Sequence, residues 1–287
     1  MLLSTHYHPN KFEYCLFYFF KMKFKMTRAG LLFVLIWLTG HPLIAQNTRV
    51  YVGLGALYDN FQDTRFSDLQ LTAVAPTLQL GFRYVNDRSY ILVGADGFGY
   101  LSTQPGTAGD QINALGINTR AGYLYGLIPG LYLGATWDIL DYVTRNQSGL
   151  NNNSNFFHTA SDLFASGKYL FKASDNWSFE FGMDLGLISF TKYAPSFTAN
   201  LEQKAIDQGE ASYQDESVRS PFTLKHVNVM PIGKQLLIRT HAEVFFRRRL
   251  SLAYQWNMRS FADQKDYPLT MANHSLTIRF HFISKPK

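Results

Sequence analysis

Trp177-Ser178-Phe179-Glu180-Phe181-Gly182-Met183-Asp184-Leu185-Gly186-Leu187-Ile188-Ser189-Phe190-Thr191 is the stretch whose reading decides the fold class. Trp177, Phe179, Phe181, Met183, Leu185 and Leu187 occupy alternate positions, and Ser178, Glu180, Gly182, Asp184 and Gly186 fill the places between them. Successive side chains of a strand point to opposite faces, so this segment has one apolar wall and one wall of polar and small residues. Its length of about 15 residues exceeds that of an ordinary soluble strand and suffices to cross a bilayer at a tilt.

The same period recurs along the chain from Gln46 onward, with no convincing helical period between repeats. Leu78, Leu80, Phe82 and Tyr84 alternate with Gln79, Gly81 and Arg83. Leu115, Ile117, Ala121, Tyr123 and Tyr125 alternate with Gly116, Asn118, Arg120 and Gly122. Leu236, Ile238, Ala242, Val244 and Phe246 stand against Arg239, His241 and Glu243; Leu250, Leu252, Tyr254, Trp256 and Met258 against Ser251, Gln255, Asn257 and Arg259. The last segment sets Leu276, Ile278, Phe280 and Phe282 against Ser275, Thr277, Arg279 and His281. Regions 50–58, 89–101 and 158–171 also read as strands, with their faces unassigned.

Connections alternate in length. Short turns fall near Asn86-Asp87-Arg88, Leu127–Gly130, Ala173–Asn176 and Arg247–Arg249, and long polar segments at 59–70, 102–110, 144–157, 194–233 and 262–271. The pattern predicts an all-β chain: an antiparallel up-and-down transmembrane β-barrel of about ten strands, with 8–12 allowed. The higher count applies if 194–233 hides a hairpin, for which Phe222 to Met230 is the candidate.

The first 45 residues read as targeting sequence. Lys23, Lys25 and Arg28 form a basic stretch, Ala29 to Gly40 an apolar one of 12 residues, and Leu43-Ile44-Ala45 before Gln46 a cleavage site. Twelve apolar residues are too few for a membrane-spanning helix, which needs roughly 20. Met22 suits a translational start, which divides the chain into an extension at 1–21, a signal peptide at 22–45 and a barrel at 46–287. Cys15 then lies outside the mature fold, which removes disulfide and thiolate chemistry. Residues 1–45 also hold five of the 27 Lys/Arg and one of the 21 Asp/Glu, leaving 22 against 20. That balance gives no reason to expect nucleic acid as a partner.

A soluble calyx has its apolar face inside, whereas a membrane barrel inverts this. The polar faces here mix Gly with charges of both signs, and Tyr84, Tyr90, Tyr123, Tyr125, Tyr132, Trp177 and Phe246 stand beside the short turns, where an interfacial girdle belongs. In these features the chain resembles Gram-negative outer-membrane β-barrels over about residues 46–283. Its Ala45-Gln46 cleavage and Tyr-rich strands resemble those of Bacteroidota envelope proteins. Gly167 to Gly186 resembles strands of the PorP/SprF proteins of type IX secretion, without that family's N-terminal signature beside it. The resemblance implies residence in the cell outer membrane, with membrane lipid and an envelope protein complex as partners.

No catalytic constellation, metal-ligand spacing or phosphate loop is present in the sequence, so neither cofactor nor metal is expected. Arg83, Arg120, Glu180, Asp184, Arg239, His241, Glu243 and Arg259 are expected to form a lumen charge cluster, in which cross-strand arginines such as Arg83, Arg120 or Arg239 neutralise Glu180 and Asp184. His241 with Glu243 and Arg239 has the makings of a base and its orienter, but filling a narrow lumen needs the same residues. The favoured reading is a non-enzymatic barrel that binds or assembles through its long loops. The alternatives are a small-solute pore, a lipid-modifying enzyme centred on His241 and Glu243, and a soluble lipocalin-like binder.

Overall fold

In the computed structural model the described residues are 48–63, 70–100, 112–147, 154–193, 227–247, 249–261 and 269–283. The expected extension and signal peptide, most of 194–233 and residues 102–110 lie outside them. Eleven strands run in chain order: β1 (Thr48–Asp63), β2 (Leu71–Val85), β3 (Ser89–Tyr100), β4 (Ile112–Ile128), β5 (Leu131–Gln147), β6 (Ser154–Lys172), β7 (Trp177–Tyr193), β8 (Asn228–Pro231), β9 (Gln235–Phe246), β10 (Leu250–Phe261) and β11 (Leu269–Ile283). Each neighbouring pair is antiparallel, β1 closes on β11, and β6 pairs with β7, so the sheet forms a ring.

The ring has ten positions, because β8 and β9 share one. Ile188 of β7 stands opposite Pro231, and Leu185, three residues away, stands opposite Ile238. The excess is taken up by a turn at Pro231–Lys234, closed by the Lys234 amide donating to the Pro231 carbonyl at 3.1 Å. Pro231 has no amide to give to a ladder, and Gly233 takes a positive φ of 95°, as the third position of a type II turn requires. Asn228–Met230 therefore continues the position of β9 along β7, and the hairpin considered over Phe222 to Met230 finds no support in its described part.

All four short turns fall where the sequence puts them. Asn86 builds the first, accepting at Oδ1 from the amides of Arg88 (2.9 Å) and Ser89 (2.6 Å). At the opposite end the strands run further than expected, through 59–63, 144–147, 154–157 and 269–271.

The inside-out assignment holds. Leu54, Leu80, Phe181, Met183, Ile278 and Phe280 face outward, while Arg83, Glu180, Asp184, Arg239, Glu243 and Arg279 are buried inside. On β1 the outward apolar series runs from Val50 to Tyr58, eight steps of about 3.3 Å, and at a barrel tilt of about 35–45° this makes a belt about 20 Å tall. This exterior is that of a transmembrane barrel. The interfacial girdle needs one correction. Tyr123, Tyr125 and Trp177 face outward, but Tyr90 and Tyr132 are buried in the lumen and pack with Leu124 above the short turns. Tyr90 stands second in β3 and pairs with Leu124, one of β4's inward positions. Adjacency to a turn does not set the face; the pleat does.

Two bulges shift the phase of the alternation. In β5, Ile139 and Leu140 stand between Asp138, opposite Asp162, and Asp141, opposite Ala160. In β7, Leu187 is extra between Gly186 and Ile188. A bulge re-aims the residues beyond it. The first turns both Asp138 and Asp141 toward the lumen, and the second does the same for Ser189 and Thr191.

Candidate functional site

The functional question reduces to the lumen, where ionic side chains stack in layers. Nearest the short turns, Arg83 of β2 reaches Glu180 of β7 (Nη1 to Oε2, 3.1 Å) and Glu243 of β9 (Nη2 to Oε2, 2.8 Å). Arg279 of β11 reaches the same Glu243 oxygen at 2.6 Å. Tyr90 donates its hydroxyl to Glu180 Oε1 at 2.9 Å. His241 Nε2 lies 2.8 Å from that oxygen, and Lys168 Nζ lies 3.2 Å from His241 Nε2 and 3.4 Å from Nδ1. Gly182 makes this arrangement possible, because a Cβ there would lie 2.0 Å from His241 Cε1.

Above this floor, Arg120 binds Asp96 (Nη2 to Oδ1, 2.6 Å) and donates to Gln255 Oε1 across the barrel at 3.2 Å. Arg239 binds Asp138 and lies 3.5 Å from Asp184 Oδ2. Asn118 donates to Asp138 Oδ2 at 3.1 Å. One layer higher, Arg259 binds Asp141 at 2.8 Å and also Asp162, which accepts from Ser189. Toward the far end Arg145 faces Asp59 at 3.6 Å and lies over the Phe61 ring, with its Cζ 4.3 Å from the centroid.

Around Arg145 the lumen changes character. Leu57, Phe61, Leu71, Ala73, Ala75, Tyr100, Ile112, Ala114, Met230, Leu269 and Met271 form one buried apolar cluster at the end away from the short turns. Barrel interiors are ordinarily polar, so this collar departs from the pattern. Between it and the charged layers lies a cavity of about 90 Å³.

The structure places the eight expected cluster residues in the lumen, where Arg83 meets Glu180 and Arg239 meets Asp184; the pairing it does not form is that of His241 with Glu243. His241 pairs with Glu180, not with Glu243, two positions along its own strand. Glu243 is taken up by Arg83, Arg279 and Ser251. Asp59, Asp138, Asp141, Arg145, Asp162 and Lys168 also belong to the network, as does Arg279 from the polar wall of the last strand. The spacing Asp138-Ile139-Leu140-Asp141 carries a usable signal, since two like charges three apart in an alternating strand betray a bulge.

One constellation has the composition of a hydrolase triad. Ser251 Oγ lies 2.7 Å from His281 Nε2 and donates to Glu243 Oε1 at 2.5 Å. A relay needs serine and carboxylate on different ring nitrogens, so that the base is oriented from behind. Here Glu243 Oε1 sits 3.5 Å from the same Nε2, and His281 Nδ1 has no hydrogen-bond partner among the described residues. Serine and carboxylate share one nitrogen, and the geometry is that of a structural cluster. Among the described residues no group of three His, Cys, Asp or Glu is placed to hold a metal ion.

No family model matches the chain, and no curated protein does either. Among solved structures it is similar to Ail, the attachment invasion locus protein of Yersinia pestis (7% identity, 83% of this chain and 100% of that one, TM-score 0.32). It is also similar to Neisserial surface protein A (10%, 81% and 97%, 0.35) and to the outer membrane protease OmpT from Escherichia coli (10%, 83% and 97%, 0.42). Likeness at this level says nothing of what the chain does; the barrel itself stands on its own strand pairings.

Proposed function

We propose that the chain is a non-catalytic outer-membrane barrel without an open pore, which works through the end opposite its short turns. One observation carries this reading: an ion pair and a charged hydrogen bond join strands on opposite sides of the ring at successive levels. Arg83 on β2 meets Glu180 on β7, five positions away in a ring of ten, and Arg120 on β4 meets Gln255 on β10, also five away. A ten-stranded barrel is narrow enough for its own side chains to fill, and these contacts cross the path a solute would take. The lack of a relay at Ser251 supports a role other than hydrolysis.

Outer-membrane residence is supported by the apolar belt together with the targeting sequence read at 22–45. Membrane lipid is then the first partner. An envelope protein complex is the second, with the long connection at 194–227 as its natural contact. A Bacteroidota origin, and a place beside the PorP/SprF proteins, rests on the cleavage style and on residues 167–186 alone. No cofactor is required.

The test is planar-bilayer recording on the purified protein. The proposal expects no discrete conductance steps, and reproducible single-channel steps overturn it in favour of the small-solute pore.

A further inference from the structure

The turn between β9 and β10 reads Arg247-Arg248-Arg249, and its middle residue lies outside the described ones. Arg247 takes a φ of 48°, alone among the described non-glycine residues; the other positive values belong to Gly130 and Gly233. A side chain at such a φ crowds its own backbone, and glycine or asparagine would hold the position at lower cost. Ties on both sides fix the conformation. The Arg247 amide donates to the Asn176 carbonyl at 2.8 Å, and the Arg249 carbonyl accepts from the His281 amide at 2.7 Å. Strain kept where a less strained residue exists points to a role for the side chain.

That side chain has a defined place. Arg247 Cζ lies 5.1 Å from the centroid of the Phe246 ring, which packs on Trp177 with centroids 5.0 Å apart. Trp177 faces outward beside the short turns, so the guanidinium is held on the outer wall, where hydrocarbon gives way to headgroups. Arg247 and Arg249 are exposed, and neither has a carboxylate partner among the described residues. Lys172, beside the adjoining β6–β7 turn, is by contrast paired with Asp175 at 2.7 Å.

We propose that Arg247 and Arg249 bind the phosphodiester of an anionic phospholipid, of the phosphatidylglycerol type, in the leaflet on the short-turn side, the periplasmic side of an outer-membrane barrel. A guanidinium presents a planar fork of donors that matches two phosphate oxygens. Trp177 and Phe246 lie against the first carbons of the acyl chains. Two unpaired cations on one turn favour a headgroup of net negative charge, whereas a zwitterionic one brings its own ammonium to the same place. This inference rests on the transmembrane reading above and names its lipid partner.

The experiment is lipid titration by native mass spectrometry on the full chain folded in detergent, for the wild type, Arg247→Asn and Arg249→Gln. The probes are phosphatidylglycerol and phosphatidylcholine with the same acyl chains. The wild type is expected to retain phosphatidylglycerol in preference to phosphatidylcholine. Each variant should bind phosphatidylglycerol about fivefold more weakly, the value of one arginine at an anionic surface, with phosphatidylcholine unchanged. Asparagine accepts the left-handed φ, so Arg247→Asn keeps the fold, which its heat-dependent gel shift shows; should it not, Arg249→Gln carries the same expectation. Equal binding of the two lipids, or a preference that survives in the folded variants, means that the arginines merely reach for any headgroup and overturns the proposal. Displacement of the lipid by soluble glycerol phosphate at equal concentration means that the turn reads a free phosphate, and overturns it too. Failure of the transmembrane reading is a separate result, seen as the absence of any heat-dependent shift in vesicles of either lipid, and the proposal falls with it.

Discussion

Arg83 on β2 and Glu180 on β7 meet in the middle of the barrel, Nη1 to Oε2 at 3.1 Å, from strands on opposite sides of the ring. Both are buried, and Glu180 also accepts from Tyr90 and His241. The pair works as a cross-brace holding β2 and β7 at a fixed separation.

Glu180→Ala therefore leaves Arg83 with only Glu243 and removes the acceptor of Tyr90 and His241. Breaking a buried pair from one side costs about 3–5 kcal/mol, because the stranded charge stays buried. Urea unfolding in lipid vesicles, followed by tryptophan fluorescence, is expected to show a loss of that size. Replacing Arg83 and Glu180 together by Met and Leu should cost less than the single change. A double variant at least as unstable as Glu180→Ala would show that the brace is not one unit.

The Ser251 cluster yields a chemical prediction. With serine and carboxylate on the same nitrogen of His281, Ser251 has no oriented base. A fluorophosphonate probe should leave it unlabelled in the folded protein. Ser251→Ala should cost about 1 kcal/mol of stability, the usual net value of one hydrogen bond. Stoichiometric labelling at Ser251 would revive the hydrolase reading.

Strand faces and short turns were legible in the sequence because both are local. Period-two alternation needs only neighbours, and Asn86 or Pro129-Gly130 announces a turn by its own chemistry. The lumen pairing was legible only as a choice among arginines, since it depends on ring closure. The sequence offers Glu180 three of them, Arg83, Arg120 and Arg239, and nothing local says which will face it or that His241 will take Glu180 over Glu243. The β5 bulge hid Asp138 and Asp141 for a related reason: a phase change of the alternation interrupts the count on which the face assignment rests. Tyr90 and Tyr132 were misplaced because proximity to a turn was read as exposure.

Gly55 marks a close approach that the ladder itself imposes. It pairs with Thr277 on β11, and a Cβ there would lie 2.1 Å from the Leu276 carbonyl oxygen and 2.7 Å from Thr277 Cα. These are backbone atoms and cannot swing away. Gly55→Ala must push β1 from β11 at the seam where the first and last strands close the ring, with an overpacking cost of about 1–3 kcal/mol. Refolding into detergent, assayed by the heat-dependent gel shift, should give a smaller folded fraction than the wild type. An unchanged fraction would mean that the seam tolerates the extra atom.

The lipid-facing belt makes a depth-dependent prediction. Leu54 lies midway along the outward series of β1 and is 59% exposed, while Tyr58 stands at its far end. An arginine at the bilayer midplane costs about 2–4 kcal/mol, and one near the interface about 0–1. Leu54→Arg should therefore destabilise the barrel in vesicles by that larger amount and Tyr58→Arg by the smaller. In detergent micelles, where the midplane is not defined by a bilayer, the gap between the two should narrow. Equal costs in vesicles would mean that the outward wall of β1 does not face hydrocarbon. The apolar face would then be covered by something other than lipid, and the transmembrane assignment would fail on its own strongest feature.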